Sequence, residues 1–396
     1  MQMQNEPQEF QTENNADLIS VILPCLNEEK GLELCINTIN STARENNLNL
    51  EIIVVDNGST DNSQDVTRKM QEKYGNIVLE EEKIKGYGSA YLHGFSKARG
   101  KYLIMGDADN TYDFTAIPTF INKLKEGYDF VVGNRFAGLM ERNAMTFSHK
   151  WIGNPILSSL VRIFFKIKIH DIHCGLRAIT KISYDKLSLS TLGMEFASEM
   201  IIKASRAKLK ITEIPTKYTT RIGESKLETF NDGWRHLRFI LLYSPKIIFL
   251  IPGITLFLIG LIALIALSIG NISIGGITLY FHPMFMSSLL MILGYELIFF
   301  TGFSRIYAIT HLGEHDKMIE KLFKFITLER ALALGSVIFL ISLSIYIKIF
   351  VDWISSDMKD LFETKSLIVA LTFSVIGIQT IMGAFMISIL NIKDKN

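Results

Sequence analysis

Four long apolar runs stand in the second half of this 396-residue chain: Ile247–Ile269, Met284–Phe303, Ala331–Phe350 and Ser366–Leu390. Each is about as long as the roughly 20 residues an α-helix needs to cross a bilayer. In hydrocarbon every backbone N–H and C=O must be satisfied within the segment, so such runs fold as helices. They predict an all-α transmembrane domain of four helices over residues 247–396. Most of the charge lies before Lys246, and the sum is only +1. That asymmetry predicts a soluble domain joined to a membrane domain. With no strongly basic body, nucleic acid is excluded as a partner.

Lysine and arginine set the orientation. Arg305, Lys317, Lys321, Lys324 and Arg330 fall between the second and third runs, none falls between the first and second, and only Lys359 and Lys365 fall between the third and fourth. The middle loop is therefore expected in the cytoplasm. An even number of spans returns the C-terminus, with Lys393 and Lys395, to the side of the N-terminal domain. The expectation is a multi-pass protein with its soluble domain and both termini cytoplasmic. Residues 231–246, with Trp234, Arg235 and Arg238, read as an interfacial linker. Residues 1–15 are polar and Gln/Asn-rich and read as a flexible tail. Glu296, inside the second run, is either functional or reaches headgroup and loop partners. Cys25, Cys35 and Cys174 have no metal-binding spacing and fit a reducing compartment.

The first half alternates. β-Rich runs at Leu18–Leu23, Leu50–Val55, Tyr102–Met105 and Phe130–Val132 are separated, over the first three, by polar helical stretches. This predicts parallel strands with covering helices. In such sheets ligands bind beyond the carboxyl ends of the strands. Each run ends in polar residues: Asn27 and Glu28, then Asp56, then Asp107 and Asp109, then Arg135. A carboxylate pair at a strand's carboxyl edge suits a hard divalent cation, Mg²⁺ or Mn²⁺, which keeps phosphate and water among its ligands. Asp-x-Asp also occurs in solvated turns, but the apolar strand before it and the neighbouring polar strand ends favour the cation seat.

Read together, "PCLNEE", "IIVVDNGSTDNS", "KGYGSAYLHGF", "GDADNTYDF", "GNRF", "DIHCGLRA" and "EIPTKYTTRIGESK" resemble family-2 glycosyltransferases of the GT-A fold. Within that family the chain is similar to dolichol-phosphate mannose and glucose synthases and to bacterial polyprenyl-phosphate glycosyltransferases. The resemblance covers about Leu18 to Tyr243 and implies an α/β, Rossmann-like nucleotide-sugar-binding domain over residues 16–230. It implies donor contacts by Pro24, Asn27, Glu28 and Asp56, with Asn57 where the family often has a second acid. It implies Gly86, Gly88 and Ser89 in a loop beneath the donor, Asp107 and Asp109 at the diphosphate and metal, and Arg135 and Arg177 near the phosphates. Thr111 stands where many relatives have a Gln that would supply a further metal contact. Arg221 and Lys226 match a basic pair at the reacting phosphates.

The implied activity is inverting transfer of a hexose from a nucleotide sugar to dolichyl or polyprenyl phosphate. A lipid monophosphate, with a second pKa of roughly 6, is mostly a dianion at neutral pH. It can attack without a general base, but it must approach an anionic donor, and Arg and Lys screen that repulsion. Glu195 and Glu199 are one helical turn apart; Glu195 is expected near the substrate, while the pair can instead bind Lys203 or Arg206. The "HDIHC" cluster could ligate zinc, but the resemblance to the family's D-x-x-x-G-x-R donor-site segment makes Asp171 and Arg177 the meaningful residues, Asp171 either at the donor or orienting Arg177, and the histidines incidental. Residues 154–168 read either as a helix in the headgroup layer or as an ordinary packed helix. A polysaccharide synthase and a non-catalytic membrane scaffold are the alternatives. No Q-x-x-R-W string supports the first, and the Asp107–Asp109 pair argues against the second.

Overall fold

The computed structural model describes residues 17–223, 229–275, 277–311, 321, 327–356, 358 and 363–392. The expected tail lies outside them, as do Lys226, Lys317 and Lys324. The chain divides into two compact units, Met1–Ile240 and Leu241–Asn396.

The first unit is built on a seven-stranded sheet of order β3-β2-β1-β4-β6-β5-β7. In chain order its elements are β1 (Ile19–Cys25), α1 (Glu29–Glu45), β2 (Leu50–Asp56), α2 (Ser63–Tyr74), β3 (Ile77–Glu81), α3 (Tyr87–Lys97), β4 (Tyr102–Met105), α4 (Ile117–Lys125), β5 (Phe130–Asn134), α5 (Asn154–Phe165), β6 (Arg177–Thr180), α6 (Lys181–Asp185), α7 (Phe196–Arg206) and β7 (Ile211–Pro215). α8 (Thr229–Leu242) follows. β1, β2, β4 and β5 are apolar nearly throughout because both faces are covered. Pairing is parallel except at β6, which runs antiparallel to both β4 and β5. The four strands expected from the sequence thus run the same way, and the antiparallel β6 between β4 and β5 was not foreseen. β6 has four residues, and β3 is charged and partly exposed, so neither carries the apolar signature of a central strand.

The second unit holds α9 (Ile251–Ile269), a short hairpin of β8 (Ile272–Ile274) and β9 (Ile277–Leu279), α10 (His282–His311), α11 (Leu328–Ser355) and α12 (Thr364–Leu390). The helices are long and apolar enough to cross a membrane. α10 runs on past the expected end of its span, so Arg305 lies on the helix and not in the loop after it. Glycines let the helix backbones touch. A Cβ on Gly294 would meet Phe257 N and lie 2.6 Å from Gly253 O; one on Gly377 would lie 2.9 Å from Gly335 O. Hydroxyl pairs link helices too, Ser288 with Thr372 at 2.7 Å, Tyr295 with Thr380 at 2.7 Å and Ser342 with Ser374 at 2.8 Å. A core of Leu264, Leu267, Met284, Met291, Ile368 and Ile376 fills the space between α9, α10 and α12.

Candidate active site

The register brings the strand ends to one edge. Cys25 pairs with Asp56, and Arg177, at the start of β6, lies opposite Met105 and Val132, near the ends of β4 and β5. Beyond that edge the β1 and β2 loops are laced together. Asn27, in a left-handed conformation (φ 55°), donates its N–H to Ser59 Oγ at 2.9 Å, and its Oδ1 accepts from Thr60 N at 2.7 Å. Glu28 N donates to Ser63 Oγ at 2.9 Å. Asp56 is held by Gln64 Nε2 at 2.8 Å and Ser59 N at 3.2 Å. Asn57 ties the end of β2 to the loop before α3. Its amide donates to the Glu82 and Ile84 carbonyls, both at 2.9 Å, and its Oδ1 accepts from Gly86 N at 2.8 Å.

Asp107 and Asp109 stand where β4 ends. Asp107 Oδ1 accepts from the hydroxyls of Tyr87 (3.1 Å) and Tyr91 (3.3 Å). Gly175 closes on its other oxygen; a Cβ there would lie 2.7 Å from Asp107 Oδ2. Burial, then the neighbouring Asp109 charge, push the Asp107 carboxyl up to about 7, against the pull of Tyr87 and Arg221. Asp109 Oδ1 accepts from Thr111 N (3.0 Å) and Thr111 Oγ1 (2.6 Å). Asp109 Oδ2 faces Arg221 Nη1 at 3.2 Å, and Arg221 Nη2 pairs with Glu28 Oε1. Thus Arg221, after β7, joins carboxylates delivered by the ends of β1 and β4. Its segment is fastened by the backbone: Ile222 N donates to Asp109 O (3.2 Å) and Thr219 N to Thr111 O (2.9 Å). Gly31, in the first turn of α1, allows the close passage of the same loop; a Cβ there would lie 2.8 Å from Ala108 O.

Other predicted residues sit elsewhere. Arg177 is fully buried and donates to the carbonyls of Cys174 (2.8 Å), Ala197 (2.8 Å) and Ile172 (2.5 Å). Its guanidinium stitches backbone together. Asp171 does not orient Arg177; it forms a two-pronged buried pair with Arg135, at 2.7 and 2.8 Å. Arg135 in turn lies 5.2 Å from the Tyr218 ring centre. Gly86 and Gly88 are small because the chain's own Thr191–Leu192 backbone crosses them: added Cβ atoms would collide with Leu192 O and Thr191 O. Ser89 N donates to Leu192 O at 3.1 Å. Pro24 lies within β1, opposite Val55. Glu199 is buried, bound to Lys203 (2.8 Å) and to the Ser190–Thr191 turn. Glu195 opens α7, and its Oε2 is buried with no hydrogen-bond partner among the described residues.

Tyr87, Tyr91, Ser59 and Gln64 were not singled out from the sequence. The spacing of Tyr87 and Tyr91, one turn apart after Gly86, was the available signal. His173 and His236 were also unforeseen as a pair. Their rings meet edge to face at 4.5 Å, with His236 Nδ1 2.9 Å from Ser198 Oγ. Burial, then nearby positive groups, hold His173 well below its usual range; burial, then Arg177, bring His236 to about 4. His170 pairs with Glu213 at 2.9 Å, so the histidines of "HDIHC" are separated.

Residues 20–188 match the glycosyl transferase family 2 domain, and residues 302–391 match the C-terminal transmembrane region of family 2 glycosyltransferases. The chain is 35% identical over 373 residues to the low-salt glycan biosynthesis hexosyltransferase Agl6 of Haloferax volcanii, covering 94% of this chain and 89% of that one. It is 30% identical over 235 residues to the dolichol-phosphate mannosyltransferase of Pyrococcus furiosus, covering 58% of this chain and 65% of the other. A looser likeness, TM-score 0.47 at 20% identity over 58% of this chain and 80% of the other, links it to the glucosyl-3-phosphoglycerate synthase of Mycobacterium tuberculosis. With a relative matched along nearly its whole length and the family's own membrane region present, the chain belongs to glycosyltransferase family 2 and is an integral membrane enzyme.

Proposed function

We propose that the enzyme moves a hexose from a nucleoside-diphosphate sugar to the phosphate of a dolichyl or polyprenyl phosphate, with inversion, at the cytoplasmic leaflet. The observation that carries this reading is the ion cluster at the sheet edge. Arg221 stands between Glu28 and Asp109, in a chain that continues into spanning helices. A site with acids for a cation and a guanidinium for a phosphate suits two anionic substrates.

Asp107 and Asp109 are the residues that would hold Mg²⁺ or Mn²⁺. They fit it on three counts. Two carboxylates with phosphate and water oxygens meet the needs of such an ion. Burial and the Asp109 charge raise the Asp107 carboxyl, and a cation between the two acids would relieve that repulsion. The space beside Asp107 Oδ2 depends on Gly175 having no side chain. When bound, the cation neutralises charge on the departing diphosphate.

The protein's own residues do the rest. Tyr87 and Tyr91 fix Asp107, and Thr111 fixes Asp109. Asp56, oriented by Gln64 and Ser59, meets the nucleoside. Arg221, with Lys226, steadies the acceptor phosphate, and Glu195 positions a sugar hydroxyl. A phosphate oxygen forms the new bond to the anomeric carbon as the bond to the diphosphate breaks, and the electron pair leaves with the nucleotide. Exposed Leu139, Phe147, Trp151, Ile152, Ile156 and Ile163 with Lys150 and Arg162 favour a surface that meets lipid. Labelled nucleotide sugars, assayed with polyprenyl phosphate in detergent with and without Mn²⁺, test the reading. It expects label in the organic phase only with both lipid and cation; label appearing only on a saccharide acceptor would reject it.

A further inference from the structure

The four oxygens of the acid pair are not equivalent. Asp107 Oδ1 and Asp109 Oδ1 are tied by neutral donors of the fold, the two tyrosine hydroxyls and Thr111. That leaves one oxygen on each acid, and on Asp109 it is the one facing Arg221. A cation seated by both acids must therefore compete with Arg221 for Asp109 Oδ2. The main chain at Arg221 stays fastened through Thr219 and Ile222, so only the guanidinium needs to move. It stays tethered through Glu28. Its side chain is 22% exposed whereas the Asp109 and Glu28 side chains are each 8% exposed, so Arg221 is the partner with room to move. A guanidinium also grips phosphate in the two-pronged way it grips a carboxylate.

We propose that Arg221 is an exchangeable counter-ion. It neutralises Asp109 before the cation arrives, and it passes to the acceptor's phosphate when the cation takes Asp109. Cation and lipid phosphate then help each other to bind, and by linkage the help is equal in both directions. The proposal rests on reading Asp107 and Asp109 as the cation seat.

The test uses the full chain in detergent, with Mn²⁺ binding read from the electron paramagnetic resonance of the free ion. A short, water-soluble prenyl phosphate serves as the second ligand. In the unsubstituted protein the prenyl phosphate should tighten Mn²⁺ at least about fivefold, the low end of usual coupling. Arg221→Met should bind Mn²⁺ alone tighter by a similar factor and gain nothing more from the prenyl phosphate. Arg221→Lys, which keeps the charge with a single-pronged head, should fall between. Asp107→Asn should lose Mn²⁺ binding. Equal or weaker Mn²⁺ binding by folded Arg221→Met, with Asp107→Asn still inactive in binding, overturns the exchange but leaves the seat. Undiminished Mn²⁺ binding by Asp107→Asn overturns the seat and the exchange with it.

Discussion

The edge of the sheet and the seams between the membrane helices solve opposite problems. At the edge, charged and polar groups are taken out of water, and each is matched to a particular partner: Arg135 with Asp171, Asp109 with Thr111, Asp107 with two tyrosines. At the seams glycines set the spacing, Gly253 with Gly294 and Gly335 with Gly377 letting one backbone lie on another, and a few neutral hydroxyl pairs replace the charged ones. Lipid tails are as apolar as leucine, so burial alone does not drive helices together, and close contact has to. In water the sheet gains from burial and can spend specificity on polar pairs.

The sharpest way to break this contrast is to change the edge and watch the seams. Asp107→Ala with Asp109→Ala should lower transfer by at least about 10³-fold, in keeping with losses of preorganised electrostatic groups. Helical content and detergent-solubilised stability should stay unchanged; a stability loss as large as the activity loss would show that the two regions are not separable. Next in size is Arg135→Met, which strands a fully buried Asp171 and should destabilise the first unit by about 3–5 kcal/mol. Arg135→Met with Asp171→Leu should recover most of that in chemical denaturation, whereas no recovery would mean that Asp171 is not the partner that matters. Gly294→Leu should act in the other region. Its side chain would run into Phe257 and Gly253 and cost about 1–3 kcal/mol, read as a lower melting point with donor binding retained.

The smallest effect concerns the buried histidines. In the unfolded chain they titrate at about 6.5, whereas His236 in the fold is brought to about 4 and His173 is held well below its usual range. Between those limits the unfolded state binds more protons, so stability is full above about pH 6.5 and falls as pH drops. The slope is about 1.4 kcal/mol per pH unit for each histidine. His236→Asn should flatten that acid limb in thermal melts from pH 7 to 4.5; an unaltered limb would place its origin in other groups.

Much of the sheet's edge was legible because strand runs and their polar exits are local patterns. β1, β2, β4 and β5 lie where runs of Val, Ile and Leu end in Glu28, Asp56, Asp109 and Arg135. The spans were legible for the same reason, since length and hydropathy are properties of a segment. Partnership was not. Nothing in "GLR" says whether Arg177 meets a phosphate or three carbonyls, because its acceptors come from Ile172, Cys174 and Ala197 on two other segments. Gly86 and Gly88 suggested a close backbone approach, but the sequence does not say whose backbone. It is that of Thr191–Leu192, a hundred residues on. The helix seams were hidden likewise, since a glycine in an apolar run reads as a weak helix former until its neighbour is known.

β6 has one more consequence. A parallel strand offers its exit loop to the working edge, whereas a reversed strand offers its entrance. The stretch from Asp171 to Leu176 therefore arrives from the far side of the chain's direction, bringing Gly175 against Asp107 with Tyr112 Oη 2.7 Å from its N–H. Changes in that entrance can reshape the surroundings of the acids while the exits of β1 and β2 stay as they are.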